Sequence, residues 1–173
     1  AIVKEGIEHG ALGFTTSRTE LHTTGGDQAM PGTYADEAEL LGIGKVIGEL
    51  GGKGIFGLVS DFHNWEQEMD WMKRLSIENN CQVNFVLFFR EEKDWDRVLK
   101  QLDYCRRAKA EGALLIPHVG ARPVNILLSW DGTINPFSFH THYAPLSIMS
   151  HEERLAELRK PQVRAAILAE DLP

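Results

Sequence analysis

Apolar positions along this chain follow two rhythms that alternate. Short runs at Leu12–Thr15, Gly54–Val59, Gln82–Phe89 and Ala113–Pro117 are mostly unbroken and read as strands. Between them, apolar residues recur every three or four positions, as on one face of a helix. Ile2, Val3 and Ile7 share such a face in Ala1–His9, with Gly10 placed to cap it. Leu40, Leu41, Ile43, Val46, Ile47 and Leu50 mark a second helix, ended by Gly51–Gly52. Its entry is read at Thr33, which puts Asp36 and Glu37 in the first turn, where the helix dipole favours carboxylates. Trp65–Asn80 is a third helix, with Met69, Met72, Leu75 and Ile77 on its apolar side. Lys93–Glu111 is a fourth, striped by Trp95, Val98, Leu99, Leu102 and Cys105 and followed by Gly112.

Strands that are apolar throughout, each separated from the next by a helix, are the βαβ signature of a parallel α/β sheet buried on both faces. Residues 1–123 carry this pattern. From residue 124 to 173 it loosens into irregular loop and a helical tail. Trp130–Thr133 reads as a turn and Asn135–Tyr143 as loop. Ser150 with Glu153 forms a capping box ahead of a helix over Glu152–Arg159, and Pro161 opens another with Val163, Ile167 and Leu168. The first residues read as the end of a helix already under way, as in a segment of a longer protein.

Composition changes this picture little. The chain has 173 residues, 43% hydrophobic and 25% charged, enough for one core. Its net charge of -7 argues against nucleic acid as the main partner. No run is long enough to span a membrane. Cys81 and Cys105 are too far apart for a CxxC motif and sit in apolar contexts, as reduced packing residues of a cytoplasmic protein.

In parallel α/β sheets the chemistry lies at the carboxyl ends of the strands. That rule selects Thr16, Ser17 and Arg18 after the first strand, Ser60, Asp61 and His63 after the second, Arg90 after the third, and His118 and Arg122 after the fourth. Arg18, Arg90 or Arg122 suits a carboxylate-bearing ligand. Asp61 is equally suited to capping the next helix, and His63 to the surface. The loop Gly10–Ala35, rich in hydroxyls and glycine, is long for a compact domain, as loops that shape sites are. His140–Thr141–His142 has the HxH form of a metal pair, but no apolar strand leads into it. No GxSxG elbow supports a triad of Ser17, His118 and Asp61.

Several stretches, in order, resemble the N-acyl-D-amino-acid deacylases (D-aminoacylases) of the amidohydrolase superfamily. They are Gly10–Phe14, Thr16–Ser17–Arg18, Pro31–Ala35 with Tyr34, Val59–Phe62, Ala121–Arg122–Pro123, Glu153–Leu155 and Pro161–Arg164. The resemblance covers most of the chain. It implies part of a (β/α)8 TIM barrel, about four βα units, with zinc at the carboxyl face of the full-length protein. It also implies hydrolysis of an N-acyl amino acid by a metal-bound water with an Asp as base. Thr16, Ser17, Arg18 and Tyr34 would line the substrate side, and Arg122 would orient a carboxylate.

The family's early HxH and Cys ligands have no counterpart here. Val59–Ser60–Asp61 and Leu87–Phe88–Phe89–Arg90 lack the histidines expected at two strand ends. No metal ligand is therefore assigned, and the chain alone is expected to be inactive, pairing with the rest of the barrel or with itself. A competing reading is a non-catalytic half-barrel that binds an anionic small molecule or only oligomerises.

Overall fold

The computed structural model describes residues 1–24, 28–51, 54–89, 92–123, 125, 127–132 and 134–170. They divide into two compact units, 1–121 and 122–173. In the first, α1 (Ile2–Glu8), β1 (Gly13–Arg18), α2 (Glu37–Glu49), β2 (Ile55–Ser60), α3 (Trp65–Asn79), β3 (Gln82–Val86), α4 (Trp95–Ala110) and β4 (Leu115–His118) follow one another. The sheet is entirely parallel, in the order β1-β2-β3-β4. The alternating rhythm therefore gives the expected α/β architecture.

Register sorts the strand residues onto two faces, because successive side chains point to opposite sides. Phe14, Phe56, Val83 and Leu115 lie in one row, and Thr15, Gly57, Asn84 and Ile116 in the next. The first row, with Leu58 and Phe85, forms one core with Leu40 and Ile47 of α2, Met69, Trp71, Met72 and Leu75 of α3, and Val98 and Ala108 of α4. Neighbouring helices also pack on one another, so all four belong to one side of the sheet. The other face, which carries Thr15, Asn84, Ile116 and Val86, stays partly open in residues 1–121. Burial on both faces, expected from the apolar runs, is thus met on one face only.

Side chains set the spacing of this layer. A Cβ on Gly48 would sit 2.2 Å from the Asn79 carbonyl oxygen, and one on Gly44 would sit 2.5 Å from Leu75 Cγ. Two glycines four apart on α2 thus bring α2 and α3 into close contact. Gly13 does the same between strands, since a Cβ there would lie 2.0 Å from the Ile55 oxygen.

Several local expectations are corrected. The cap of α2 is Asp36, whose carboxylate accepts from the Glu39 N–H, and not Thr33. β1 runs on to Arg18, because Thr16, Ser17 and Arg18 pair with Leu58, Val59 and Ser60. β3 stops at Val86, short of Phe89. On α3, Ile77 is exposed and Trp71 is buried in its place. On α4, Trp95 and Leu99 are about half exposed, while Gln101 is buried beside Val98. Gln101 Oε1 accepts from Arg97 Nη1 at 3.0 Å, while its Nε2 is buried without a hydrogen-bond partner. Cys81 and Cys105 are both free. Burial pushes the Cys105 thiol up to about 11.

The second unit holds α5 (Ala144–Ser147), α6 (His151–Leu158) and α7 (Pro161–Leu168) around Tyr143, Leu146 and Ile167, with Trp130 and Phe137 packed against them. The Ser150–Glu153 capping box is formed. The stretch read as irregular loop supplies the aromatic half of this core. Trp130 and Phe137 stack with centroids 5.8 Å apart, and both meet Tyr143. Arg154 is buried there and donates to the backbone oxygens of Trp130, Leu146, Ser147 and Met149, so four carbonyls stand in for a counter-ion. Among the described residues, no helix is long and apolar enough to cross a membrane.

Candidate functional site

An open cavity of about 730 Å3 runs along β1, from the open face of the sheet round to the loop after β1 and to Leu40 and Ile43 of α2. Ser17 of β1, Val59 of β2, Asn84 and Val86 of β3, and His118 at the end of β4 all line it. Ser17 pairs with Val59 and Val86 with His118 in the sheet register, so these residues cross the sheet near its carboxyl edge. Thr16 also contributes, with Pro31 and Gly32 of the loop. The lining is mostly apolar with a few hydroxyl, amide and imidazole groups and the carboxylate of Glu39, the mixture that small-molecule sites use.

Of the residues chosen from the sequence, Thr16, Ser17 and His118 line this cavity. Arg18, one step beyond Ser17, belongs to the helix side. Its Nε donates to Glu68 Oε2 at 2.9 Å and Nη2 to Glu68 Oε1 at 2.6 Å, while Nη1 donates to the Ala35 oxygen at 2.7 Å. Its guanidinium also lies 5.5 Å from the centre of the Trp71 ring. This paired, stacked arginine ties β1 to α3 and to the end of the loop.

Ser60 serves the same knot. Its Oγ donates to Glu68 Oε2 at 3.1 Å and accepts from the Phe62 N–H at 3.1 Å. Asp61 does not cap α3; Asn64 does. Asp61 instead accepts from Thr19 Oγ1 at 2.6 Å and from the Glu20 N–H at 2.8 Å, fastening the start of the loop to the end of β2. Phe62 beside it has φ 54°, a costly conformation for a bulky side chain. It is held there by burial against Phe85. His63 is on the surface, 3.9 Å from Asp61.

Tyr34 is 74% exposed, and its hydroxyl donates to Glu20 Oε1 at 3.4 Å. Arg90 lies outside the described residues. Arg122 is exposed and begins the second unit. Asn84 and His22 also line the cavity and were not among those residues. Asn84 is a polar residue inside the most apolar strand, and that interruption was the available signal. His22 folds back from the loop until its Nδ1 is 2.6 Å from Ser17 Oγ. An antiparallel bridge between Thr23 and Ala29 and a bond from the Met30 N–H to the His22 oxygen hold it there.

The described residues do not fit a zinc centre. Among the described residues, no group of three or more His, Cys, Asp or Glu side chains converges as a metal set. The HxH pair is separated in use. His140 is buried against the Phe137 ring, with no hydrogen-bond partner for its Nδ1. His142 Nδ1 is bonded to Glu170, which also accepts from the Thr141 and His142 N–H groups at 2.7 and 2.6 Å. The backbone bond from His142, with its ring and Thr141 assisting, holds the Glu170 carboxyl below its usual range. That arrangement latches a loop to the end of α7. Compared with protein-family models, with curated proteins and with solved structures, the chain finds no match.

Proposed function

We propose that this chain forms part of a (β/α)8 barrel of an amidohydrolase resembling the N-acyl-D-amino-acid deacylases, and that it supplies a wall of the substrate site. The observation that carries the reading is the one-sided sheet. Four parallel strands in sequential order, with α1–α4 on one face and the other face left partly open, are what consecutive units of such a barrel present. In that setting the open face is the barrel interior. Ser17, Asn84 and His118 then offer hydrogen bonds to an amide or carboxylate, while Val59 and Val86 receive an acyl chain.

Arg18, Ser60 and Asp61 have a supporting role in this reading. They hold the carboxyl ends of β1 and β2 and the root of the loop, so the cavity wall keeps its shape. The chain alone is expected not to hydrolyse N-acetyl-D-amino acids in zinc-supplemented buffer, because the family's early ligands have no counterpart in it. Clear turnover would refute that account. Binding is the positive test. Titration with N-acetyl-D-leucine followed by NMR should perturb the amides of Ser17, Val59, Asn84, Val86 and His118. Perturbation confined to other residues, or none at millimolar ligand, would overturn the site.

One observation favours a second reading, a half-barrel that assembles. β1 and β4 have no outer partner strand among the described residues, and Val86 and Leu114 are 36% and 43% exposed on the open face. Such edges and faces favour pairing with another chain. Light scattering decides it: a dimer at micromolar concentration supports assembly, and a monomer at high concentration excludes it.

A further inference from the structure

We infer that Ser17 is a nucleophile activated by His22, able to take an acyl group from an activated carboxylic ester. The inference does not rest on the deacylase reading, which needs a metal. It rests on a hydroxyl and an imidazole 2.6 Å apart at the lip of a large cavity. That separation is within the range of a serine and its general base.

Both partners are positioned from opposite sides. Ser17 is fixed by the pairing of β1 with Val59 of β2. His22 sits on a turn that begins at Thr19, where its own N–H donates to the Thr19 oxygen at 3.4 Å. Thr19 is buried and held by Asp61, so the base is anchored to the end of β2 while the nucleophile lies on β1. Met30 and Pro31, from the returning arm of the same loop, line the cavity beside the pair and give an acyl chain apolar surface. The sequence offers no elbow motif for this serine, because its base comes from a local fold-back and not from a distant strand.

With its ring proton on Nε2, His22 accepts the Ser17 proton at Nδ1 as Oγ attacks the ester carbonyl carbon. The tetrahedral adduct collapses, the carbon–oxygen bond to the alcohol breaks, and the alcohol leaves with the proton from Nδ1. Acyl-Ser17 remains. A water attacking the acyl carbon, with His22 again taking the proton, returns the hydroxyl and releases the acid.

The test uses an alkyl fluorophosphonate, in which Oγ displaces fluoride at phosphorus. The whole chain is labelled in buffer with a chelator, and the adduct is located by intact mass and peptide mapping. One adduct on Ser17 is expected. Ser17→Ala should take up none, and His22→Gln should react at least about 100-fold more slowly. Circular dichroism should show both variants folded as the parent is. No adduct on the parent chain, an adduct on another residue, or a His22→Gln rate within about threefold of the parent would overturn the inference. The parent's adduct map decides the matter even if a variant fails to fold. The chelator separates this result from the deacylase reading, since metal-dependent hydrolysis would stop while labelling of Ser17 continues.

Discussion

The two faces of the sheet are made from the same four strands, yet they do opposite work. On the helix side, Phe56, Val83 and Phe85 are essentially sealed from solvent and hold the fold together. On the open side, Thr15, Asn84 and Val86 keep partial exposure and border a cavity. β1 shows the division at single-residue resolution. Arg18 turns to the helices and is locked to Glu68, whereas Ser17 turns to the cavity and meets His22. A step of one residue along a strand changes a structural residue into a candidate for chemistry.

The largest effect should come from exchanging equivalent cuts on the two faces. Phe56→Ala removes a ring packed on Phe14 and Trp71 and should cost about 3–5 kcal/mol in urea unfolding. Val59→Ala, at a half-buried position on the open face of the same strand, should cost under about 1 kcal/mol. Equal costs would mean that the open face is as closed as the other.

The sealed side should also protect a thiol. Cys105 packs against the helix-side core, where burial raises its pKa from 9.0 to about 11. At pH 8 its thiolate fraction should be roughly 100-fold below that of an ordinary cysteine, and alkylation slower in proportion. The folded pKa exceeds the unfolded one, so the contribution is complete below pH 9 and is lost as the pH climbs to about 11. Fast alkylation of the folded chain at pH 8 would show that α4 is poorly seated.

Next is the knot around Arg18. Glu68→Ala leaves a largely buried guanidinium without its carboxylate and removes the acceptor of Ser60, and should cost about 2–3 kcal/mol in urea unfolding. Glu68→Gln keeps an acceptor and should cost less. A negligible loss for Glu68→Ala would make the pair a surface contact and weaken the contrast with Ser17.

What the sequence made legible follows from where the physical signal lies. Strand and helix periodicity depends on local hydrophobic spacing, so the βα order and the parallel sheet could be read directly. The end of β1 could not. Thr16, Ser17 and Arg18 are polar, and they enter the sheet only because Leu58, Val59 and Ser60 extend beside them. The fate of Arg18 depends on Glu68, fifty positions away, and no spacing rule connects the two. Thr16, Ser17 and His118 were found by the strand-end rule, which needs only topology. His22 was missed because its position comes from the Thr23–Ala29 bridge, which has no hydrophobic signature. In the second unit, Trp130, Phe137 and Tyr143 form a core without periodicity, since their backbone is a loop and each ring packs individually.

The smallest expected effect sharpens the comparison most. Ser17→Ala and His118→Ala should each change stability by no more than about 0.5 kcal/mol, because neither side chain belongs to the core. Ser17 loses one exposed hydrogen bond to His22, and water can replace it. His118 is exposed at the end of β4. If both variants unfold with the parent's midpoint in urea, these residues are dispensable for the fold, and any loss of ligand binding or labelling reflects chemistry at the cavity. If Ser17→Ala instead costs more than about 1 kcal/mol, its bond to His22 is a structural fastening of the loop. The open face would then be a second layer of the scaffold, and the division between the faces would fail at the residue where it matters most.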